Sequence, residues 1–208
     1  MMMARAQAAA AKPGRGCGVF SCIAAFVLGA ALIVGCAGKD FEALRPDIVA
    51  RGVYIEGVPF YRQTESACGP AALAGVFAFW GKPLAVDKIA EKTYLPELRG
   101  TLPMDMESFA RDAGYNTMST NGTLTMLKEH IRRGTPVICL LDLGFGPYRQ
   151  PHYVTAIGFE DAHAVIIVHD GLKPDRLIGY ESFDRDWSRA GRWMLVIEPE
   201  KTEKKHDW

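Results

Sequence analysis

A cysteine at the start of an apolar helical pattern is the feature that most constrains this chain. From Cys68 the sequence reads CGPAALAGVFAFWG, in which large apolar residues recur at helical spacing until Gly81. Pro70 suits the first turn, because the N–H that proline lacks has no helical partner there. A thiol in this position meets the positive end of the helix dipole and free backbone N–H groups, which favour the nucleophilic thiolate. Cys68 is therefore a candidate nucleophile, and a buried structural cysteine is the alternative.

A nucleophilic cysteine needs a base and a group that orients the base. Among the five histidines, His152 and His169 flank the strand-like runs HYVTAIGF and AVIIVHD. These runs predict an antiparallel hairpin turning through Glu160-Asp161-Ala162. If the turn is centred on Asp161, His152 lies opposite Asp170, close enough for the carboxylate to accept the imidazole N–H. His169 then points to the other face of the sheet, and a different turn length would change the pairing.

Three segments resemble the bacteriocin-processing cysteine peptidases that act on double-glycine leaders, a papain-like family: VPFYRQTESACGPAALAGVFAFWG, PHYVTAIGF and VIIVHDG. The resemblance covers residues 53–197 or so. It implies that Cys68 is the nucleophile, that His152 is the general base and acid, and that Asp170 orients the imidazole. It also implies that Gln63 and the backbone N–H of Cys68 form the oxyanion hole. TLPMDMESFARDAGY and FDRDWSRAGRWMLVIEP are similar to stand-alone bacterial lipoproteins of this family.

The chemistry of acyl transfer supports the same role for Gln63. Negative charge develops on a carbonyl oxygen, and a neutral amide N–H stabilises that charge without titrating. A loop glutamine in contact with water is the alternative. The same site would also serve an amidase or a transpeptidase, and a chain that keeps the fold without turnover would be a peptide-binding scaffold lipoprotein.

Composition limits the other function classes. The chain has 24 basic and 24 acidic side chains, so that net charge does not favour binding to nucleic acid. The cysteines form no CxxC pair, which argues against zinc, and a metal site built from Cys68, His152 and Asp170 is a remote alternative. We therefore expect a peptide or protein substrate and no cofactor.

The N-terminal region differs in character from the rest of the chain. Basic residues precede the apolar run Val19 to Val34, as in a secretory signal. The run ends in IVGCAG, which resembles a bacterial lipobox and predicts a signal peptide over residues 1–35 with Cys36 as the lipidated N-terminus. An uncleaved membrane-spanning helix is the alternative. In either case we expect an anchored protein on the extracytoplasmic side of the bacterial envelope, with acyl chains holding it to the membrane.

Lipidation would leave Cys68 and Cys139 as the thiols of the mature chain. Cys139 lies in the apolar run PVICLLDL, where a small buried side chain is expected. A disulfide between the two is an alternative that would block the proposed nucleophile.

The segment Leu143 to Pro151, directly before His152, is rich in glycine, proline and aromatic residues. This composition predicts either a mobile loop that lines a peptide cleft or an ordinary hairpin connection. Glu65 and Ser66, before the nucleophile, would likewise contact substrate or only build the turn.

The rest of the chain predicts one domain over residues 53–200, preceded by a polar linker (36–52) and followed by a charged tail (201–208). Helical periodicity marks the Cys68 segment, LAVDKIAEKTYL, residues 103–113, TLTMLKEHIRRG and SFDRDWSRAG. Strand patterns mark PVICLLDL, HYVTAIGF, AVIIVHD and RWMLVIEP. Helices followed by antiparallel strands predict an α+β fold. With the family resemblance, this implies a papain-like peptidase fold in which the N-terminal helices carry the nucleophile and pack on an antiparallel sheet.

Overall fold

A computed structural model of the chain describes residues 40–63 and 67–200. The helices are α1 (Phe41–Arg51), α2 (Cys68–Phe79), α3 (Val86–Thr93), α4 (Pro103–Asp112), α5 (Leu124–Arg132) and α6 (Tyr180–Arg189). The strands are β1 (Val53–Tyr54), β2 (Tyr94–Leu95), β3 (Gly100–Thr101), β4 (Tyr115–Asn121), β5 (Val137–Asp142), β6 (Pro151–Glu160), β7 (Val165–His169), β8 (Arg176–Gly179) and β9 (Trp193–Pro199). The predicted signal peptide, the lipidated Cys36 and the charged tail lie outside the described residues.

One antiparallel sheet organises the domain. Its strand order is β4-β9-β5-β6-β7-β8, and β1 pairs with the far end of β6. Strands β2 and β3 form a separate small hairpin between α3 and α4. Helices together with an antiparallel sheet confirm the predicted α+β class.

Helices cover both faces of this sheet. On one face α2, α3 and α4 bury apolar side chains such as Leu73, Phe77, Ile89 and Met106. On the other face α1, α5 and α6 bury side chains such as Ile48, Leu127, Phe183 and Trp187. Strand β5 serves both cores, because successive side chains of a strand point to opposite faces. Its continuous apolar sequence follows from burial on both sides.

The helices begin where the sequence signals predict. Pro103 occupies the first turn of α4. The hydroxyl of Thr123 caps α5 by accepting a hydrogen bond from the backbone N–H of Met126 at 3.2 Å. In the described residues no helix has the length and apolar character needed to cross a bilayer.

The predicted linker is wrong for residues 41–51, because these residues form α1. Phe41 and Ile48 of this helix are 7% and 2% exposed and belong to the core. The helix was missed since only these two side chains are buried and Pro46 lies inside it.

Strands β4 and β8 were also missed. They are the edge strands of the sheet, and their sequences are therefore more polar than those of the central strands.

Candidate active site

An open cleft of about 550 Å³ lies beside the start of α2. Its walls include the segment 98–103, and its lining also contains Leu140, Gln150, Pro151 and Tyr153. Cys68, His152 and Gln63 all line this cleft. The structure thus places three of the four predicted catalytic side chains around one space. Asp170, the fourth, lies next to it and contacts His152.

Cys68 is the first residue of α2 and is partly exposed to the cleft. The glycine that follows it lets another part of the chain approach the helix start. A Cβ atom on Gly69 would lie 3.1 Å from Cβ of Thr101 and 3.2 Å from Sδ of Met106. A side chain there would require these neighbours to move by a few tenths of an ångström, so Gly69 permits the close approach of Thr101 and Met106 to the helix start.

The environment of Cys68 favours the thiol. Burial raises its pKa above the ordinary value of 9.0, and the backbone N–H groups of Tyr153, Gly69 and Cys68 itself lower it by less. The prediction that the helix start favours the thiolate is therefore wrong for the free protein. The backbone N–H groups are present as expected, but desolvation of the sulfur outweighs them.

His152 is the second residue of β6 and pairs with Leu141 of β5. Its Nε2 lies 2.9 Å from the backbone oxygen of Asp170. A carbonyl oxygen can only accept, so Nε2 carries the proton and Nδ1 of the neutral ring has a free lone pair. Burial lowers the pKa of His152 below 6.5, and the carbonyl and the charge of Asp170 only partly oppose this shift.

The carboxylate of Asp170 is committed to its own turn. One oxygen accepts hydrogen bonds from the backbone N–H of Leu172 at 2.9 Å and of Lys173 at 2.6 Å. The other oxygen accepts from Arg176 at 2.8 Å. Burial alone would raise the pKa of Asp170, but Arg176 and these N–H groups outweigh it and lower the pKa. The predicted carboxylate–imidazole hydrogen bond is therefore replaced by one from His152 to the main chain of Asp170.

The hairpin register explains this difference. Glu160 pairs with Val165, where the prediction paired it with Ala162, and a bulge near Ile157 shifts the register again. The turn is longer than predicted because the Glu160 carboxylate accepts hydrogen bonds from the backbone N–H of Ala162 at 2.9 Å and of His163 at 2.6 Å. The Asp161-centred turn is thus wrong, although His152 still meets Asp170 through the main chain.

Gln63 rests on the residue that follows Asp170. Its backbone N–H donates to the oxygen of Gly171 at 2.9 Å. Its side chain lies across the same glycine, so that a Cβ atom on Gly171 would be 2.5 Å from Oε1. Gly171 also has a φ of +77°, in the left-handed region that favours glycine.

His169, the other strand-end histidine, has both ring nitrogens engaged by the main chain. Nε2 lies 3.0 Å from the oxygen of Val58. Nδ1 accepts the backbone N–H of Asp175 at 3.2 Å. A ring held in this way has no nitrogen left to accept a proton from Cys68, which favours His152 as the base.

The loop before His152 is fixed at its base. One oxygen of Asp142 accepts the backbone N–H groups of Gly144 and Gln150 at 3.0 and 2.9 Å, and the other accepts from Arg149 at 2.6 Å. Burial would raise the pKa of Asp142, but these donors lower it to about 2. The tip, residues 145–148, carries exposed aromatic side chains. The predicted mobile loop therefore has an anchored base.

Three residues near the site were not predicted from the sequence, which are Asp142, Tyr153 and Arg176. The backbone N–H of Tyr153 faces the sulfur of Cys68. Asp170 and Arg176 are six residues apart in DGLKPDR, and Asp142 and Arg149 are seven apart around a Gly/Pro-rich loop. An acidic residue at a strand end, followed by a loop and an arginine, was the available signal in both cases.

The second thiol behaves as the sequence predicts. Cys139 is buried in β5, and burial raises its pKa. Both Cys68 and Cys139 are free thiols. In residues 40–63 and 67–200, no group of three or more His, Cys, Asp and Glu side chains is arranged to hold a metal ion.

Comparison with protein families gives the identity of the fold. The profile described as "Peptidase_C39 like family" matches residues 55–194. This chain belongs to that family. The match covers the helix that begins at Cys68, the strand that carries His152 and the turn at Asp170, and it confirms the predicted family. No curated protein matches the sequence at a significant level.

Solved structures show the same fold. The peptidase domain of Streptococcus ComA, a bifunctional ABC transporter involved in quorum sensing, is 20% identical, with a TM-score of 0.58 over 69% of this chain and 99% of that domain. A double-glycine-motif protease of an AMS/PCAT transporter, in complex with the leader peptide, is 22% identical, with a TM-score of 0.58 over 71% and 95%. A C39-like peptidase from Bacillus anthracis is 16% identical, with a TM-score of 0.60 over 72% and 98%. These matches confirm the predicted papain-like peptidase fold.

Proposed function

We propose that this protein is a membrane-anchored cysteine peptidase with Cys68 as nucleophile and His152 as general base. The observation that supports this most is that both side chains line one cleft. The backbone oxygen of Asp170 accepts a hydrogen bond from Nε2–H of His152, which leaves Nδ1 as the nitrogen with the free lone pair. General-base activation of a nucleophile requires a neutral imidazole that can reach the thiol, and both groups line the same cleft.

The reaction then follows from the protonation states. As Sγ of Cys68 attacks the peptide carbonyl carbon, Nδ1 of His152 takes the thiol proton and the carbonyl oxygen becomes an oxyanion. The imidazolium gives its proton to the leaving amine as the C–N bond breaks, which leaves a thioester. His152 then takes a proton from water, the hydroxide oxygen attacks the thioester, and the proton returns to the departing sulfur.

In this proposal two groups stabilise the oxyanion. The backbone N–H of Cys68 stands at the start of α2, and the side-chain amide of Gln63 lies in the same cleft. We assign Nε2 of Gln63 as the second donor. Its Oε1 is buried against Gly171, so the opposite end of the amide remains for the substrate. In this scheme the carbonyl of Asp170 faces the imidazolium, and its carboxylate maintains the turn.

We propose a peptide with an apolar side chain next to the cleaved bond as the substrate. Exposed apolar side chains line one wall of the cleft: Leu98 is 59% exposed and Leu102 36%. Apolar side chains concentrated around a cleft indicate a binding surface. The leader-peptide complex of the AMS/PCAT protease supports a peptide as the ligand.

A cleavage experiment with two cysteine variants tests this function. The wild-type protein, Cys68→Ala and Cys139→Ala are incubated with a peptide library, and cleavage products are identified by mass spectrometry. We expect cleavage by the wild type and by Cys139→Ala, because Cys139 is a buried core residue outside the cleft lining, and no cleavage by Cys68→Ala. Products that persist in Cys68→Ala would contradict the proposal.

Membrane anchoring through Cys36 is part of the proposal and has its own test. Cells that express the wild type, Cys36→Ser or Cys22→Ser are labelled with a fatty acid that carries a detectable group. We expect label in the wild type and in Cys22→Ser and none in Cys36→Ser, because the acylated atom is the sulfur of Cys36. Label retained in Cys36→Ser would rule out this anchor without affecting the peptidase assignment.

A further inference from the structure

We infer that the Asp170–Gly171 turn is a shared support for the base and the oxyanion donor, and that Gly171 is the positioning residue for Gln63. This inference rests on the proposed function, because it concerns the alignment of the same site. It adds two roles: the main chain at 170–171 aligns two catalytic groups at once, and residue 171 must lack a side chain for one of them to fit.

Two consecutive backbone carbonyl groups hold the base and the segment that contains Gln63. The oxygen of Asp170 accepts from Nε2 of His152, and the oxygen of Gly171 accepts from the backbone N–H of Gln63, each at 2.9 Å. His152 comes from β6 and Gln63 from the segment before α2, so the turn joins two distant parts of the chain. A rotation of the 170–171 peptide would move the carbonyl that holds His152, and a rotation of the next peptide would move the carbonyl that holds Gln63.

The turn is held from its outer side. The carboxylate of Asp170 accepts the N–H groups of Leu172 and Lys173, and Arg176 binds its second oxygen. The backbone N–H of Asp170 also donates to the oxygen of Lys173 at 3.3 Å. These bonds fix the direction of the two carbonyl groups that face the site.

The Gln63 side chain adds a steric requirement. A Cβ atom on Gly171 would lie 2.5 Å from Oε1, 2.8 Å from Cδ and 3.0 Å from Cγ of Gln63. Real Cβ atoms do not approach other heavy atoms so closely, so a side chain at 171 would displace the amide. Displacements of about 1 Å in a catalytic group reduce rates by roughly 10²-fold.

Gly134 is a control position that distinguishes the steric contact between residue 171 and Gln63 from backbone strain alone. It has the same φ of +77° as Gly171, but a Cβ atom there would have nothing within 4 Å. Alanine at 134 therefore carries the strain of a left-handed residue without the clash. A difference between Gly171→Ala and Gly134→Ala reports the contact with Gln63.

The turnover test compares these variants on a cleaved peptide. We expect Gly171→Ala to lower kcat by about 10²–10³, the loss typical of one oxyanion-hole donor, with a smaller change in KM. Gly134→Ala should keep the wild-type kcat. In Gln63→Ala, the additional Gly171→Ala change should lower kcat by less than about 10-fold, because the donor is already lost. Equal kcat values for Gly171→Ala and Gly134→Ala, or losses that multiply in the double variant, would overturn the inference.

A spectroscopic test works even if the protein cleaves no peptide. The chain has three glutamines, Gln7, Gln63 and Gln150. Their side-chain amides can be labelled with ¹⁵N, and Gln63→Ala identifies the signal of Gln63. We expect Gly171→Ala to shift this signal, Gly134→Ala to leave it in place, and the Gln150 signal to serve as an internal reference. An unshifted Gln63 signal in folded Gly171→Ala would overturn the inference.

The two tests separate the possible failures. A shifted Gln63 signal in a protein that cleaves no peptide would support the positioning role and contradict the peptidase assignment. If Gly171→Ala does not fold, Gly171→Asn replaces it, since Asn accepts a left-handed backbone more readily and still has a Cβ atom. The same signal shift and the same loss of kcat are expected for that variant.

Discussion

The turns at the two ends of β7 use the same local chemistry for different purposes. At one end, the Glu160 carboxylate accepts two backbone N–H groups at 2.9 and 2.6 Å and contacts Nδ1 of His163 at 2.7 Å. At the other end, the Asp170 carboxylate accepts two backbone N–H groups at 2.9 and 2.6 Å and binds Arg176 at 2.8 Å. Both carboxylates are buried, and in both the hydrogen bonds lower a pKa that burial alone would raise.

The difference lies in what stands opposite each turn. Glu160 closes a hairpin, and His163 also lies 3.7 Å from Asp47 of α1, so that turn ties elements of the fold together. The carbonyl groups of the Asp170 turn meet His152 and Gln63 beside the cleft. A buried carboxylate with two N–H donors is therefore a general device for holding a turn. In the scheme proposed here, the side chains that the turn supports give it a role in catalysis.

The largest expected difference between the two turns concerns the histidine that each one contacts, His152 at the Asp170 turn and His163 at the Glu160 turn. His152→Ala should lower kcat by about 10²–10⁴, the range for loss of a general acid–base group. His163→Ala should leave kcat unchanged and lower the melting temperature, because it removes a contact of the Glu160 turn. Steady-state kinetics and thermal unfolding of both variants check this. Similar kcat losses in the two would show that the ends are not functionally distinct.

The two carboxylates give the next comparison. Asp170→Asn and Glu160→Gln should each lower the free energy of unfolding by about 1–3 kcal/mol, because an amide satisfies fewer of the N–H donors. Only Asp170→Asn should also lower kcat, by up to about 10²-fold, through misalignment of His152 and Gln63. Chemical denaturation and kinetics measure the two effects.

The stability part of that comparison depends on pH with a definite sign. Both carboxyl groups have lowered pKa values in the folded state, below 3.8 for Asp170 and 4.5 for Glu160. Their contribution is present above those ordinary values and is lost as the pH falls through the folded pKa. The stability gap between wild type and each variant should therefore close in acid. A gap that stays constant with pH would assign the loss to packing.

The smallest expected effect is a shift in the pH profile of the site. In the wild type kcat/KM should fall as the pH drops through the pKa of His152, which lies below 6.5. The Arg176 cation helps to lower this pKa, so Arg176→Gln should move the acid limb to higher pH. Arg192→Gln is the control. It breaks an ion pair outside the cleft lining, in which Arg192 lies 2.8 Å from Asp184, and it should leave the acid limb of the kcat/KM profile at the same pH. A limb that moves equally in both variants would exclude a local effect of Arg176.

The sequence predicted the elements of the fold better than their register. The apolar patterns after Cys68, Pro103 and Thr123 became α2, α4 and α5, because capping residues and helical periodicity are local signals. Helix α1 was not predicted, because it has only two buried side chains and therefore a weak apolar periodicity. The hairpin register was predicted wrongly, because it depends on the side chain of Glu160. The hydrogen bonds of this side chain lengthen the turn, and apolar periodicity does not encode them.

The site shows the same limit. Cys68, His152 and Gln63 were predicted and line one cleft. The form of the contact with Asp170 was not predicted, because it depends on whether the carboxylate or the carbonyl faces the ring. The carboxylate is held away from the ring by Arg176, six residues later in the chain, and by the backbone N–H groups of Leu172 and Lys173. Local sequence identified the groups, and tertiary hydrogen bonds decided which atoms meet.

The hydrogen bonds of Asp142 have a consequence for how the sequence of this protein can vary. They hold both ends of the loop before His152, so the residues between Gly144 and Gln150 are mechanically separated from the strand that carries the base. Phe145 and Tyr148 are 87% and 79% exposed and contribute little to folding. Exchanges at these two positions therefore leave the proposed catalytic groups in place. Sequence changes at these positions can therefore alter the surface of the loop whose last residues, Gln150 and Pro151, line the cleft, without altering the catalytic groups proposed here.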